Sequence, residues 1–202
     1  MIGDGMETIS NTISFFINLI IFLATCIFTA QLFFRDRKWC PERARNAFRF
    51  FTVQSNVLCA VSALFMILFP ESEWAYNLKI IGTSAVTVTM MTVLLFLGPV
   101  FGYQYMYKGV DLFMHLLTPL MALVSLCVFE RREISFAQVF IGMIPVALYA
   151  PLYLYKILFA PEGKRWDDFY GFNSGGKWKT AYVLMHLGSA VICVLLYMLL
   201  NI

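Results

Sequence analysis

The feature that most constrains this chain is its division into long apolar runs. Six stretches of about twenty residues are dominated by Leu, Ile, Val, Phe, Met and Ala. As helices, each is long enough to cross the ~30 Å hydrocarbon core of a bilayer. They cover residues 11–34, 48–69, 79–101, 111–129, 135–159 and 180–200. The short alternating segments of a membrane barrel are absent. Composition agrees: the chain is 60% hydrophobic and 13% charged, whereas a soluble domain is about a quarter charged. The expected fold is all-α, a polytopic bundle of about six transmembrane helices. The whole length, 1–202, forms one integral membrane domain.

The net charge is +3. Its Lys and Arg residues are spread over several loops, which gives no support to nucleic acid binding. The five cysteines include no CxxC pair, so neither a disulfide framework nor a zinc site is indicated. The first residues, MIGDGMET, carry acid and no base. A secretory signal would start with positive charge, so the first run is expected to stay as a spanning helix.

Loop charge sets the expected orientation. The first, third and fifth loops hold Arg35, Arg37, Lys38, Arg43, Arg45, Lys108, Lys164, Arg165, Lys177 and Lys179, while the other face holds little beyond Arg131 and Arg132. The positive-inside rule puts the basic loops in the cytoplasm and both termini outside, with the cell membrane as the expected location.

Two motifs carry polar side chains into this apolar background: FRFFTVQSN, residues 48–56, and DLFMHLLTP, residues 111–119. Thr52 and Asn56 are four residues apart and share a helix face, as do Asp111 and His115. The second, fourth and sixth spans all start from the basic face. Thr52, His115 and His186 are therefore expected in one layer near it. Ionisable groups at that depth are site candidates by default.

The chemistry such a layer offers is acyl transfer. A Thr hydroxyl is a weak nucleophile until a base takes its proton, and His115 is the candidate base. Asp111 is placed to accept from the other ring nitrogen and fix its tautomer. The Asn56 amide is a candidate donor to an oxyanion, or an orienter of the hydroxyl. Each residue also has a plainer reading. A spanning-helix Thr commonly bonds back to the preceding turn. Asp111 suits a helix N-terminus, and both histidines suit interhelical hydrogen bonding. A metal site has little support, since no HxxxH or HExxH spacing occurs.

Other polar features read as packing first. Asn11, Asn18 and Thr25 form a stripe on the first span, and Thr83, Ser84, Thr87, Thr89 and Thr92 make the third hydroxyl-rich. Pro145 and Pro151 are candidate kink points. Tyr149, Tyr153 and Lys156 share a face suited to a carboxylate or phosphate, or to an aromatic belt with a snorkelling Lys. The longest loop, APEGKRWDDFYGFNSGGKWK, reads as an interfacial segment through Trp166, Phe169, Tyr170 and Trp178. Gly171, Gly175 and Gly176 offer it hinge freedom as a cover over a site.

At these motifs the chain resembles the family of the androgen-induced protein and the androgen-dependent tissue-factor-pathway-inhibitor-regulating protein, together with bacterial integral membrane relatives. The resemblance rests on FFTVQSN, DLFMHLLTP, PLYLYKILFAPEG and WDDFYGFN, and so covers most of the chain. It implies a transmembrane threonine hydrolase cleaving lipid esters such as fatty acid esters of hydroxy fatty acids. Thr52 carries over as nucleophile and His115 as its partner. Asn56, Asp111 and Pro119 match the pattern around them, whereas His186 matches no family motif. The resulting expectation is an intramembrane ester hydrolase that needs no cofactor and meets its lipid substrate within the membrane. The rival classes are a non-enzymatic lipid-binding or regulatory membrane protein and a small proton-coupled transporter using Asp111 and His115.

Overall fold

The computed structural model describes residues 2–202, with side chains from residue 8 onward. Six helices are long and apolar enough to span a membrane: Thr8–Gln31, Phe51–Leu68, Glu73–Phe101, Val110–Phe129, Phe136–Phe159 and Trp178–Asn201. They are the first to sixth spans below. The protein is an all-α helix bundle, as the apolar runs predict.

Spans one to four share an inner apolar seam: Ile21, Cys59, Ala63, Val86 and Ala122 are all fully buried. Spans three, five and six meet in a larger core that includes Ile80, Val139, Val146, Tyr153, Cys193 and Leu196. Two glycines mark the closest helix approaches. A Cβ added to Gly82 would lie 3.0 Å from the Cys59 Cα, so the second and third spans touch backbone to backbone. One added to Gly142 would lie 2.9 Å from the Ser84 Cβ. Glycine at these positions lets the helices approach.

Two boundaries differ from the sequence reading in ways that matter. The second helix starts at Phe51, not at residue 48. A short helix, Pro41–Ala47, precedes it, and Phe50 is extended (φ −82°, ψ 134°) between the two. Thr52 therefore lies in the first turn of its helix. The third helix starts at Glu73, six residues before the expected edge at Lys79, which places Lys79 inside the bundle. The polar residues Glu71, Ser72, Glu73 and Asn77 masked this start, although Ala75 and Tyr76 among them are core residues.

Four helical segments widen to π geometry: Val93–Leu97, Phe113–Leu117, Ser125–Phe129 and Tyr155–Phe159. The second has a direct cause. Pro119 has no N–H and its ring would crowd the carbonyl four residues back, which is that of His115. Widening the turn relieves this crowding and leaves His115 on a π-turn, a geometry frequent at functional sites.

Candidate functional site

Thr52 opens onto a cavity of about 240 Å³ at the end of the bundle where the basic loops lie. Phe51, Val93, Phe96, Leu97, Leu184 and Met185 make most of its wall apolar, with polar groups from Thr52, Thr89, Thr92 and Tyr170. The cavity lies between the start of the second span, the end of the third and the start of the sixth. Residues 170–172 of the long loop cover it.

The Thr52 hydroxyl escapes the plainer reading. Among the described hydrogen bonds it makes none to the preceding turn, where Gln54 Nε2 occupies the Phe48 carbonyl at 2.7 Å. Its own carbonyl accepts from Ser55 Oγ at 3.0 Å and from Asn56 Nδ2 at 2.8 Å. Asn56 is fully buried and also donates to the Met114 carbonyl at 3.1 Å. This bond joins the second span to the fourth one residue before His115. Both amide hydrogens of Asn56 are thereby engaged, so it orients and braces. The alternative role as oxyanion donor has no free hydrogen. Ser55 Oγ meets Thr89 Oγ1 at 2.8 Å, tying the second span to the third.

His115 is oriented by a different partner from the one the motif suggests. Its Nδ1 lies 2.7 Å from the Met106 carbonyl, which can only accept. Nδ1 therefore carries the proton of the neutral ring, and Nε2 keeps the lone pair a base needs. Asp111 does not hold this ring. It is exposed in the first turn of the span, where its backbone N–H donates to the Lys108 carbonyl at 3.2 Å. A backbone carbonyl has taken the place given to Asp111, because the chain before the span folds back over the imidazole. Among the described hydrogen bonds none links His115 directly to Thr52. His186 is tied to its own helix, with Nδ1 2.8 Å from the Tyr182 carbonyl and the two rings 4.3 Å apart. The cavity wall takes Ala181, Leu184 and Met185 from that span but not His186.

The long loop is a built cover rather than a simple connector. Asp168 accepts from the Phe172 N–H at 2.9 Å, the Asn173 N–H at 2.7 Å and the Tyr153 hydroxyl at 2.9 Å. The Tyr170 N–H donates to the Tyr153 oxygen at 3.1 Å. Tyr153 thus binds a carboxylate, as its face suggested, but one supplied by this chain. Gly171 follows at φ +69°, a left-handed conformation that turns the loop back over the cavity. The Tyr170 phenol accepts from the Phe51 N–H at 2.9 Å, and its hydroxyl also meets the side chains of Tyr149 and Thr52. Burial pushes its pKa up, opposed by those hydrogen bonds. Sequence reasoning saw Tyr170 only as an interfacial aromatic. Nothing local in the sequence signals its contact with residues 119 positions away.

A second polar centre was missed altogether. At the other end of the bundle, Lys79 is fully buried, and its Nζ lies 3.5 Å from Glu130 Oε2. Glu130 Oε1 accepts from Ser14 Oγ at 2.6 Å, Ser125 Oγ at 3.0 Å and Asn18 Nδ2, and Asn18 Oδ1 accepts from Lys79. Glu130 borders a cavity of about 440 Å³ lined by Ser10, Asn11, Glu71, Arg131 and Arg132 among others. The clue was Lys79 itself, an ionisable residue that a longer third span would bury.

Comparison with known proteins adds no relative: no family model, curated protein or solved structure matches this chain.

Proposed function

We propose that the protein is an intramembrane hydrolase of lipid esters with Thr52 as nucleophile and His115 as base. The observation that carries this reading is the Thr52 hydroxyl. It is not bonded back to its helix, and it faces an apolar cavity at the membrane-interface end of the bundle. An ester carbonyl of a bilayer lipid lies at that depth, with its acyl chain among Phe96, Leu97, Leu184 and Met185. Thr52 sits in the first turn of its helix, where the macrodipole favours developing negative charge. His115, with Nδ1 held by Met106, offers Nε2 for the Thr52 proton. His115 does not line this cavity, so the reading requires the imidazole to reach Thr52 when substrate binds, as catalytic hydrogen bonds often tighten only in the complex. The orientation with the basic loops in the cytoplasm, and fatty acid esters of hydroxy fatty acids as substrate, belong to the same reading.

The test is a lipid-ester hydrolysis panel on protein purified into nanodiscs, run beside Thr52→Ala, with an activated phosphonate as covalent probe. Turnover and a phosphonate adduct mapped to Thr52, both lost in Thr52→Ala, are the expected result. Saturable lipid binding with no turnover and no adduct would make the protein a lipid binder.

A further inference from the structure

A threonine hydrolase needs a donor for the charge that develops on the substrate. When Thr52 Oγ1 attacks an ester carbonyl, the π pair moves onto the carbonyl oxygen. Hydrogen-bond donors beside that oxygen contribute much of the catalysis. The donor suggested by sequence, Asn56, has given both amide hydrogens to the Thr52 and Met114 carbonyls. Thr89 is engaged with Ser55 and with the Ala85 carbonyl.

We propose that Tyr170 is the oxyanion donor of this site: its phenolic O–H donates to the carbonyl oxygen of the ester that Thr52 attacks. The inference rests on the reading of Thr52 as nucleophile, and three observations carry it. First, Tyr170 and Thr52 line the same cavity, and the phenol meets the Thr52 side chain. Second, the phenol oxygen accepts from the Phe51 N–H at 2.9 Å. Phe51 opens the second helix, so this N–H has no intrahelical partner and carries the positive end of the dipole. The Tyr149 hydroxyl donates to the Arg49 carbonyl at 2.7 Å and can only accept from Tyr170, so the phenol hydrogen rests on Tyr149 or Thr52 until an ester carbonyl takes it. Donation into the oxygen polarises that O–H and strengthens it as a donor. Third, the loop is fixed before substrate arrives, by the three hydrogen bonds that Asp168 accepts and by the bond from the Tyr170 N–H to Tyr153. A loop held in advance leaves only the rotation of the phenol O–H to be made when substrate binds. Burial also raises the pKa of the phenol, which keeps the proton in place above the ordinary tyrosine range.

The step balances. The Thr52 Oγ1–carbonyl carbon bond forms, the Thr52 proton passes to His115 Nε2, and the oxyanion is held, not protonated, by Tyr170. On collapse the electron pair returns, the bond from the carbonyl carbon to the ester oxygen breaks, and the leaving alkoxide takes the proton from the imidazolium. Water then repeats the sequence on the acyl-threonine and releases the acid.

The experiment compares Tyr170→Phe, Thr92→Val and Thr52→Ala in nanodiscs, with an activated acyl ester as substrate and a phosphonate as probe. Thr92→Val controls for another hydroxyl on the wall. Tyr170→Phe is expected to lower kcat by about 10²–10³-fold, the usual effect of losing one oxyanion donor. KM should change little, and phosphonate labelling of Thr52 should slow in parallel. A second variant separates donation from loop packing: 3,5-difluorotyrosine at position 170 keeps the ring and hydroxyl but lowers the phenol pKa. The alkaline limb of the activity profile should move to lower pH with it, which a purely structural role would not cause. The proposal is overturned if Thr52→Ala is inactive while Tyr170→Phe keeps its kcat, if Thr92→Val costs as much, or if the difluoro variant leaves the alkaline limb unmoved. If Thr52→Ala keeps full turnover and labelling, the hydrolase reading itself fails and this inference goes with it.

Discussion

Glu130 and Thr52 sit at opposite ends of the same bundle and are held in opposite ways. Glu130 is gripped by everything around it: two serines, an asparagine and the buried Lys79. These partners come from the first, third and fourth spans, so the pair ties three helices together. The hydroxyl of Thr52 is left free of its own helix, while its neighbours Ser55 and Asn56 are spent on holding spans in place. A polar group engaged by several helices stabilises; one free of its own helix at the wall of an apolar cavity is available for chemistry. The contrast teaches that buried polarity alone does not mark a membrane site. The state of each hydrogen bond separates a brace from a reacting group.

Substitutions at the two ends should therefore fail differently. Thr52→Ala is expected to remove turnover by at least about 10³-fold with an unchanged melting midpoint, since a nucleophile has no substitute. Thr52→Ser keeps the hydroxyl and should retain part of the activity; hydrolysis rates and intact-protein mass of the acyl adduct check both. His115→Ala should cost about 10²–10⁴-fold, the range of general base catalysis, whereas His186→Ala should stay near wild type. Equal losses in the two would break the assignment of His115 as base. At the far end, Lys79→Met or Glu130→Leu alone leaves a buried charge unpaired and should destabilise by about 3–5 kcal/mol. The double variant should recover most of that loss. Thermal unfolding in detergent, followed alongside kcat of the folded fraction, tests this. A Lys79→Met protein that is stable but inactive would show that the two ends are coupled. The smallest effect is expected at Asp111→Asn, since its exposed side chain does not hold the imidazole; an unchanged pH–rate profile is the check.

Much of this architecture could be read from the chain because hydropathy is a local signal. Each span announces itself within its own window, and errors fell at the edges, where Lys79 and Phe51 lie. The candidate site was legible in Thr52 and His115 and not in the groups around them. Thr52 and His115 stand out as polar residues in apolar runs. Met106 holds the imidazole through its backbone, which no side-chain pattern encodes. Tyr170 reaches Phe51 through a loop whose path depends on Asp168 and on a left-handed Gly171. Glu130 falls just past the apolar run 111–129, and apart from Ser125 its partners lie more than a hundred residues away on the first span and 51 away on the third.

The position of the cavity has a kinetic consequence. Its wall runs between the third and sixth spans, where Phe96 and Leu184 are more than half exposed on the lipid-facing surface. Under the hydrolase reading, a substrate entering there arrives by lateral diffusion in the leaflet, not from bulk water. The quantity that saturates such an enzyme is the mole fraction of ester in the bilayer. Adding inert phospholipid at constant total ester should slow it, as surface dilution does, while adding buffer should not.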